Sequence, residues 1–391
     1  MLRTGLVLGL LALVGPFAID MYLPAMPLIA AEYGSSETAV QMTLTAYFLA
    51  FGLAQMLYGP LADQAGRRLP LFLGLGVFVA ASLGAASAAS VEALAGWRAL
   101  QGLGGAALMV VPRAIVRDQY TGNEATQLMA LVMLVISVSP MLAPLAGSGV
   151  MAVSGWRMIF VILAATGALA ALVTLLAQPE TLPPSARVPI SFASMLRGGR
   201  VLLGDSRFMG LTLVGGFGMA SFFVFLASAP FVYVQQFGLS PTGFSIAFAL
   251  NAIGFFSASQ AASWLGRKMG MRRLVRRGTT GFCLFTLLLL ALALAGLTSL
   301  PLIIAGLFCA NACLGVVIPT AMVLALDDHG DIAGLASSLG GTLQMLAGGL
   351  MIVLAGPFFD GTALPMLGAI ALCGVIALTF TAAMLPREEW A

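Results

Sequence analysis

The chain has 391 residues, of which 60% are hydrophobic and only 8% are charged. Soluble globular proteins carry about 25% charged residues, so this composition excludes a soluble α/β enzyme and indicates a membrane protein. A bilayer core about 30 Å thick takes roughly 20 apolar residues per helix, and the length accommodates twelve such helices. The net charge of +3 is too small to suggest a nucleic-acid partner.

Apolar runs predict an all-α membrane protein with twelve spanning helices in two bundles of six. The predicted spans of the first bundle are 5–27, 38–59, 69–90, 94–116, 126–152 and 157–177. Those of the second are 208–236, 243–265, 275–298, 300–326, 332–357 and 363–385. The predicted domains are therefore an N-terminal bundle (1–178), a cytoplasmic linker (179–207) and a C-terminal bundle (208–391). Arg3 precedes the first apolar run, which we interpret as a retained helix because Asp20 interrupts it.

The positions of the basic residues predict the orientation of the spans. If the N-terminus is cytoplasmic, all 18 Lys and Arg residues except Arg98 and Arg157 lie at the cytoplasmic side, Arg387 included. Both termini are therefore predicted to be cytoplasmic. A weak repeat, Gly66-Arg67-Arg68 and Gly270-Met-Arg-Arg273, supports two related halves, which in transporters surround a central cavity.

Asp20 is the acid lying well inside the first predicted span. An intramembrane carboxylate is costly and is by default a functional candidate, here for taking up and releasing a proton. The alternative is a residue already at the water interface, because Pro24 and Pro27 follow it.

Arg98 lies near the outer end of its predicted span. Arg98, Gln101, Gly105 and Met109 share one helix face, which could present a fixed charge and an amide to the cavity. Arg98 could instead reach the interface as a structural residue.

The segment 59–71 joins the second and third predicted spans. Gly59 would allow close helix approach and Gly66 a tight turn, while Asp63 could pair with an arginine or lie at a helix N-terminus. The functional interpretation is a breakable latch between the halves; the alternative is a device that only fixes topology. The residues assigned to this latch are Gly59, Asp63, Gly66, Arg67, Arg68, Arg113 and Arg117.

Further candidates lie in other spans. Pro140 and Pro144 would kink their helix, and Gly147 would allow close packing. In the second bundle, Asn251, Asn311 and Gln344 are either interhelical contacts or substrate contacts. His329 and the four cysteines give no metal-ligand pattern, and no nucleotide or protease motif is present. We therefore expect no metal, no cofactor and no enzymatic activity.

Several of these segments resemble known families. The segment 59–71 resembles the GxLaDrxGRR signature of the major facilitator superfamily, and 98–102 resembles the RxxQG motif of its drug antiporters. The second-half copy lacks the Asp, and the motif around Pro140 departs from the antiporter pattern at Ser139 and Ala146. The segments 20–27, 58–63, 113–118, 155–160 and 229–233 resemble the Bcr/CflA group of bacterial drug exporters.

This resemblance implies drug:proton antiport, driven by the proton gradient, across the bacterial inner membrane. Asp20 and Arg98 would serve proton coupling in a monomer whose partners are the drug, protons and the lipid bilayer. The expected substrate-binding residues are Tyr22, Tyr47, Phe51, Gln101, Met109, Phe225, Asn251, Asn311 and Gln344. The alternatives are a transporter of a small metabolite, such as a sugar or amino acid, and a non-transporting receptor.

Overall fold

The computed structural model describes residues 2–189 and 192–385, and every regular element in these two stretches is helical. Residues 190 and 191 of the predicted linker and residues 386–391, with Arg387, lie outside them. The helices of the first stretch are α1 (Leu2–Asp20), α2 (Met26–Tyr33), α3 (Glu37–Ala65), α4 (Arg68–Ala86), α5 (Val91–Gln119), α6 (Gly122–Ser154) and α7 (Arg157–Ala177). Those of the second are α8 (Phe192–Gly204), α9 (Ser206–Phe231), α10 (Pro241–Met269), α11 (Met271–Leu294), α12 (Leu300–Leu326), α13 (Ala333–Ala355) and α14 (Ala363–Met384).

Twelve helical segments of the described chain are long and apolar enough to cross a membrane. This confirms the predicted all-α fold with twelve spans. The first span, Thr4–Tyr33, consists of α1 and α2 joined by a short 3₁₀ turn. The seventh continues from α9 into a π-helical turn, Val232–Gln236, shortly after Pro230. The short helix α8 is not one of the twelve.

The chain forms two compact units, which are described separately. Unit 1 comprises residues 1–191 with α1–α7, and unit 2 comprises residues 192–391 with α8–α14. The predicted linker 179–207 is divided between them. Its first part extends unit 1 beyond α7, and its second part contains α8, which the sequence did not predict.

Helices of unit 1 pack closely where glycines of α5 meet their neighbours. A Cβ atom on Gly102 would lie 2.3 Å from the carbonyl oxygen of Tyr47 in α3, and one on Gly104 would lie 2.5 Å from that of Gly74 in α4. Neither position can hold a side chain without moving a helix. Small residues at such contacts are the usual means by which membrane helices approach.

Unit 2 repeats this arrangement between α10 and α12. A Cβ atom on Gly315 would lie 2.1 Å from the carbonyl oxygen of Phe255, and Gly254 meets the backbone of Phe308 in the same way. The equivalent helix pair is therefore held at glycines in each unit, which agrees with the internal repeat seen in the sequence.

Candidate functional site

Asp20 lies at a break in the first membrane span. It is the last residue of α1, and the span resumes at Met26 after a 3₁₀ turn over Leu23–Ala25. Pro24 lacks the N–H group that would donate to the Asp20 carbonyl in a continued helix, so the α-helix is interrupted here. Asp20 is thus at the end of a helix, and this helix end lies inside the apolar segment Thr4–Tyr33.

The carboxylate of Asp20 is buried and has no partner. Its residue is 4% exposed, and within the described chain no hydrogen bond or ion pair to its oxygen atoms is present. Buried carboxylates are normally paired or hydrogen-bonded because an isolated buried charge is costly. This makes Asp20 an exception that calls for a functional explanation.

The backbone just after Asp20 is covered by α6. A Cβ atom on Gly147 would lie 2.3 Å from the carbonyl oxygen of Met21, so this close approach requires glycine. Next to it, the hydroxyl of Ser148 donates to the carbonyl of Pro144 at 2.8 Å. The predicted close packing at Gly147 is confirmed. Gly147 packs against the backbone of Met21, where the helix of the first span is interrupted.

Arg98 is fully buried in a cage of aromatic rings from three elements. Its guanidinium carbon lies 4.5 Å from the ring centre of Tyr47, 4.8 Å from that of Tyr22 and 5.9 Å from that of Phe160. Nη1 donates to the carbonyl of Ala18 at 2.9 Å. This carbonyl belongs to the last turn of α1, the negative end of the helix dipole, which stabilises a cation.

A chain of side chains holds the guanidinium in position. Nη1 of Arg98 also donates to Oε1 of Gln101, and Nε2 of Gln101 donates to Ser82 at 2.8 Å. The hydroxyl of Ser82 in turn donates to the carbonyl of Phe78 at 2.7 Å. By contrast, Nε and Nη2 of Arg98 have no hydrogen-bond partner among the described residues.

Asp20 and Arg98 are not paired with each other. Arg98 contacts the carbonyl of Ala18, two residues before Asp20, and no ion pair joins the two side chains in the described structure. Both side chains therefore lie at the C-terminal end of α1. Asp20 is the last residue of this helix, and Arg98 donates a hydrogen bond to the carbonyl of Ala18 in its last turn.

The substrate-binding residues predicted in unit 1 cluster around Arg98, except for Met109. Tyr47 stacks on Phe51 with ring centres 5.9 Å apart, and the hydroxyl of Tyr22 lies 2.6 Å from that of Thr43. Met109 is half-buried further along α5.

The residues predicted in unit 2 form three separate contacts. Asn251 and Asn311 are buried and share a 3.5 Å hydrogen bond. Phe225 stacks almost parallel on Phe248 with ring centres 5.7 Å apart. Gln344 lies beside Gly215, where an added Cβ atom would approach its amide nitrogen to 2.9 Å.

The segment between α3 and α4 forms an ion-pair network within unit 1. Arg67, only 3% exposed, bonds to Asp63 at 2.6 Å and to both oxygens of Asp118 at 2.7 and 3.0 Å. Gly66 has a φ of 91°, which confirms the predicted tight turn. These contacts confirm that Asp63 pairs with an arginine.

The side chains of the other residues assigned to the latch do not form these ion pairs. Arg68 lies over the ring of Phe72, and Arg113 and Arg117 are exposed. A Cβ atom on Gly59 would meet no described atom within 4 Å. The prediction that Gly59 permits close helix approach is therefore wrong.

The chain matches the Major Facilitator Superfamily over residues 8–352. It belongs to this family. Family membership identifies a membrane-spanning, multi-pass transporter rather than an enzyme.

Named relatives place this major facilitator protein among Bcr/CflA-like members. It is 35% identical to an uncharacterized MFS-type transporter of Bacillus subtilis, YdgK, covering 94% of this chain and 92% of the relative. It is 29% identical to a bicyclomycin resistance protein homolog of Haemophilus influenzae, covering 95% and 94%. It is 34% identical to a chloramphenicol resistance protein of Pseudomonas aeruginosa over 70% and 65% of the two chains.

A solved transporter structure has the same fold. The chain superposes on the crystal structure of a D-xylose-proton symporter with a TM-score of 0.75, covering 98% of this chain and 97% of the other. At 16% identity, this likeness supports the major facilitator fold alone.

Glu180, which sequence reasoning missed, completes the network of this major facilitator protein. Its carboxylate accepts hydrogen bonds from the backbone N–H groups of Arg67, Arg68, Thr181 and Leu182 at 2.8–3.1 Å. Partial burial acts to raise the pKa of Glu180, but these donors outweigh it and hold the pKa below its usual value. An acid directly after an apolar span was the available signal, but it does not reveal contacts this distant along the chain.

Proposed function

We propose that this chain exports small amphipathic antibiotics, such as phenicols or bicyclomycin, from the bacterial cytoplasm in exchange for protons. The observation that carries the proposal is Asp20, a buried carboxylate without a partner at a break in a membrane span of the described chain. The names of two relatives, as bicyclomycin and chloramphenicol resistance proteins, support the choice of cargo. The site would lie in the inner membrane, with both termini in the cytoplasm.

Asp20 is proposed to hold the exchanged proton. In the proposed cycle it is ionised while drug is bound and protonated as drug leaves on the outer side, so that each protonation state favours one opening of the transporter. The absence of a counter-charge among the described residues supports this role, because a salt-bridged carboxylate would resist protonation. The proton gradient alone would supply the energy.

Arg98 is proposed to supply a fixed positive charge beside this group. It is held through Ala18 and Gln101, while Nε and Nη2 have no partner among the described residues. These two nitrogens form one edge of the guanidinium, which suits a bidentate acceptor. A polar group of the drug or the ionised Asp20 would be such an acceptor in another conformation.

The apolar part of the cargo is proposed to bind against aromatic side chains. Tyr22, Tyr47 and Phe51 surround the charged site in unit 1. Phe225, in unit 2, is likewise proposed to contact cargo. Aromatic and methionine surfaces adapt to different ligands, which suits a transporter of several drugs. The network of Asp63, Arg67 and Asp118 is proposed to stabilise one conformation of the cycle.

The coupling role is tested with purified protein reconstituted into liposomes. We expect Asp20→Asn to reduce pH-gradient-driven drug transport to background, because the amide cannot exchange a proton. Glu92→Gln, which changes an exposed acid at the start of α5, is the matched control and should transport normally. Equal melting temperatures and gel-filtration profiles would show that both variants are folded.

One result would contradict the coupling role of Asp20, and another would contradict the proposed cargo. Proton-driven transport by Asp20→Asn at the parent rate would exclude Asp20 from coupling. For the cargo, expression in an efflux-deficient host should raise resistance to phenicols or bicyclomycin. If instead only sugar or amino-acid transport responds, the chain is a metabolite transporter.

A further inference from the structure

Helix α8 precedes the first span of unit 2 and packs on that unit along one side. Leu202 is fully buried, and a Cβ atom on Gly198 would lie 2.5 Å from the side chain of Leu335 in α13. Gly198 and Leu202 are four residues apart, so they lie on one face of the helix, which is the packed face. The helix is therefore a fixed part of unit 2.

A second face of α8 is apolar and exposed. Leu196 is 63% exposed and Leu203 is 53% exposed, and because they are seven residues apart they share a face. Two large exposed leucines on a short helix outside the twelve spans indicate a face that contacts an apolar environment.

The exposed side of α8 also carries two basic residues. Arg197 and Arg200 are exposed, the helix contains no acid, and neither arginine forms an ion pair within the described chain. Arg207, just beyond the helix, differs because it pairs with Asp328. Two positive charges thus lie next to the exposed leucines without compensation from the described part of the protein.

The position of α8 in unit 2 matches the edge of the membrane. The helix leads directly into α9 at Ser206 and packs beside Leu335, near the start of α13. It therefore lies at the level where two membrane spans begin. Arg272 and Arg273, in the first turn of α11, belong to this same end of unit 2.

We propose that α8 lies in the headgroup layer of the bilayer and binds anionic phospholipids. Leu196 and Leu203 would insert at the acyl-chain boundary, and Arg197 and Arg200 would contact lipid phosphates. Amphipathic helices with basic and apolar faces bind membrane interfaces in this way, and each basic residue near an anionic surface contributes about 1 kcal/mol. This binding does not depend on which substrate is transported.

The proposal is tested by native mass spectrometry of the full-length protein with phosphatidylglycerol or zwitterionic phosphatidylethanolamine. We expect the parent to retain phosphatidylglycerol preferentially. Arg197→Gln/Arg200→Gln should weaken this binding by about 5-fold per arginine removed, the equivalent of about 1 kcal/mol each. Arg267→Gln/Lys268→Gln, which removes two exposed charges at the end of α10, is the matched control and should have a smaller effect.

Insertion of the leucine face needs a second measurement. A photo-crosslinking residue at Leu196 should react with lipid in phosphatidylglycerol nanodiscs, whereas one at Ser185, exposed in unit 1 outside the spans, should react mainly with water. Equal retention of both lipids by the parent would overturn the proposal. So would unchanged phosphatidylglycerol binding by the double arginine variant, or crosslinking from Leu196 to protein alone.

Discussion

Two charged side chains of unit 1, Arg98 and Glu180, form hydrogen bonds to backbone groups at helix ends. Arg98 donates to a carbonyl in the last turn of α1, and Glu180 accepts from N–H groups at the start of α4. Both arrangements match the helix dipole, whose C-terminal end favours cations and whose N-terminal end favours anions. Each charge therefore fixes the end of one helix against a residue from another part of the chain.

Replacing Glu180 by glutamine tests whether its charge stabilises the start of α4. An amide keeps the shape of the side chain, but its single carbonyl oxygen is a weaker acceptor than the two oxygens of the carboxylate. Hydrogen bonds to charged groups contribute about 1.5–3 kcal/mol. We expect Glu180→Gln to lose about 1–2 kcal/mol of stability, measured as a lower melting temperature in detergent. Glu124→Gln, at an exposed glutamate in the first turn of α6, should have little effect.

The effect of Glu180→Gln should also depend on pH. Because the pKa of Glu180 is lower in the folded protein than its ordinary value of 4.5, its stabilisation is present above that value. It is lost as the pH falls through the folded-state pKa. The difference in melting temperature between parent and variant should therefore shrink under acidic conditions. A difference that grows with acidification would contradict this account.

At the scale of whole elements, the contact between α6 and the break in the first span sets the geometry around Asp20. Gly147 meets the Met21 carbonyl so closely that any side chain must push the two apart. Gly149, two residues later on the same helix, has no described atom within 4 Å of an added Cβ. The helix thus offers a matched pair of substitutions.

We expect Gly147→Ala to destabilise the protein by about 1–3 kcal/mol, because overpacking at a close contact forces the backbone to move. Gly149→Ala should leave the melting temperature unchanged or slightly raised, since alanine favours helix. Drug transport by the two purified variants in liposomes should follow the same order. Equal stability and transport for both would show that the contact at Gly147 has no role in shaping the site.

The elements differ in how far their sequence predicts them. The spans were predictable because about 20 apolar residues in succession have one solution in a bilayer. Helix α8 was not, because Gly198 and Gly199 lower helix propensity and its packing partner, Leu335, is remote in sequence. Glu180 was not predicted for the same reason, because its partner Arg67 is 113 residues away in the sequence. Asp20 and Arg98 were found because charge inside an apolar run is visible without knowing the neighbours.

At the scale of the molecule, each unit is charged unevenly along its spans. In unit 2, the described Lys and Arg residues all lie at the end where α9, α11 and α13 begin, and the opposite end holds Asp360. In unit 1, Arg67, Arg117 and Arg187 belong to the end where α4 and α6 begin, and Arg157 to the other. Short loops rich in Lys and Arg remain in the cytoplasm, so the charges of both units predict which of their ends faces it.

Cysteine substitutions test this orientation in both units independently. Ser87→Cys and Asp360→Cys place exposed thiols at the predicted outer ends, and Ser185→Cys and Lys268→Cys place them at the predicted cytoplasmic ends. A membrane-impermeant maleimide should label the first pair in intact cells and the second pair only after permeabilisation. The parent, whose Cys283 and Cys373 are buried and whose Cys309 and Cys313 are partly buried, gives the background. The reverse labelling pattern in either unit would contradict the orientation, and with it the direction in which Asp20 would exchange protons for drug.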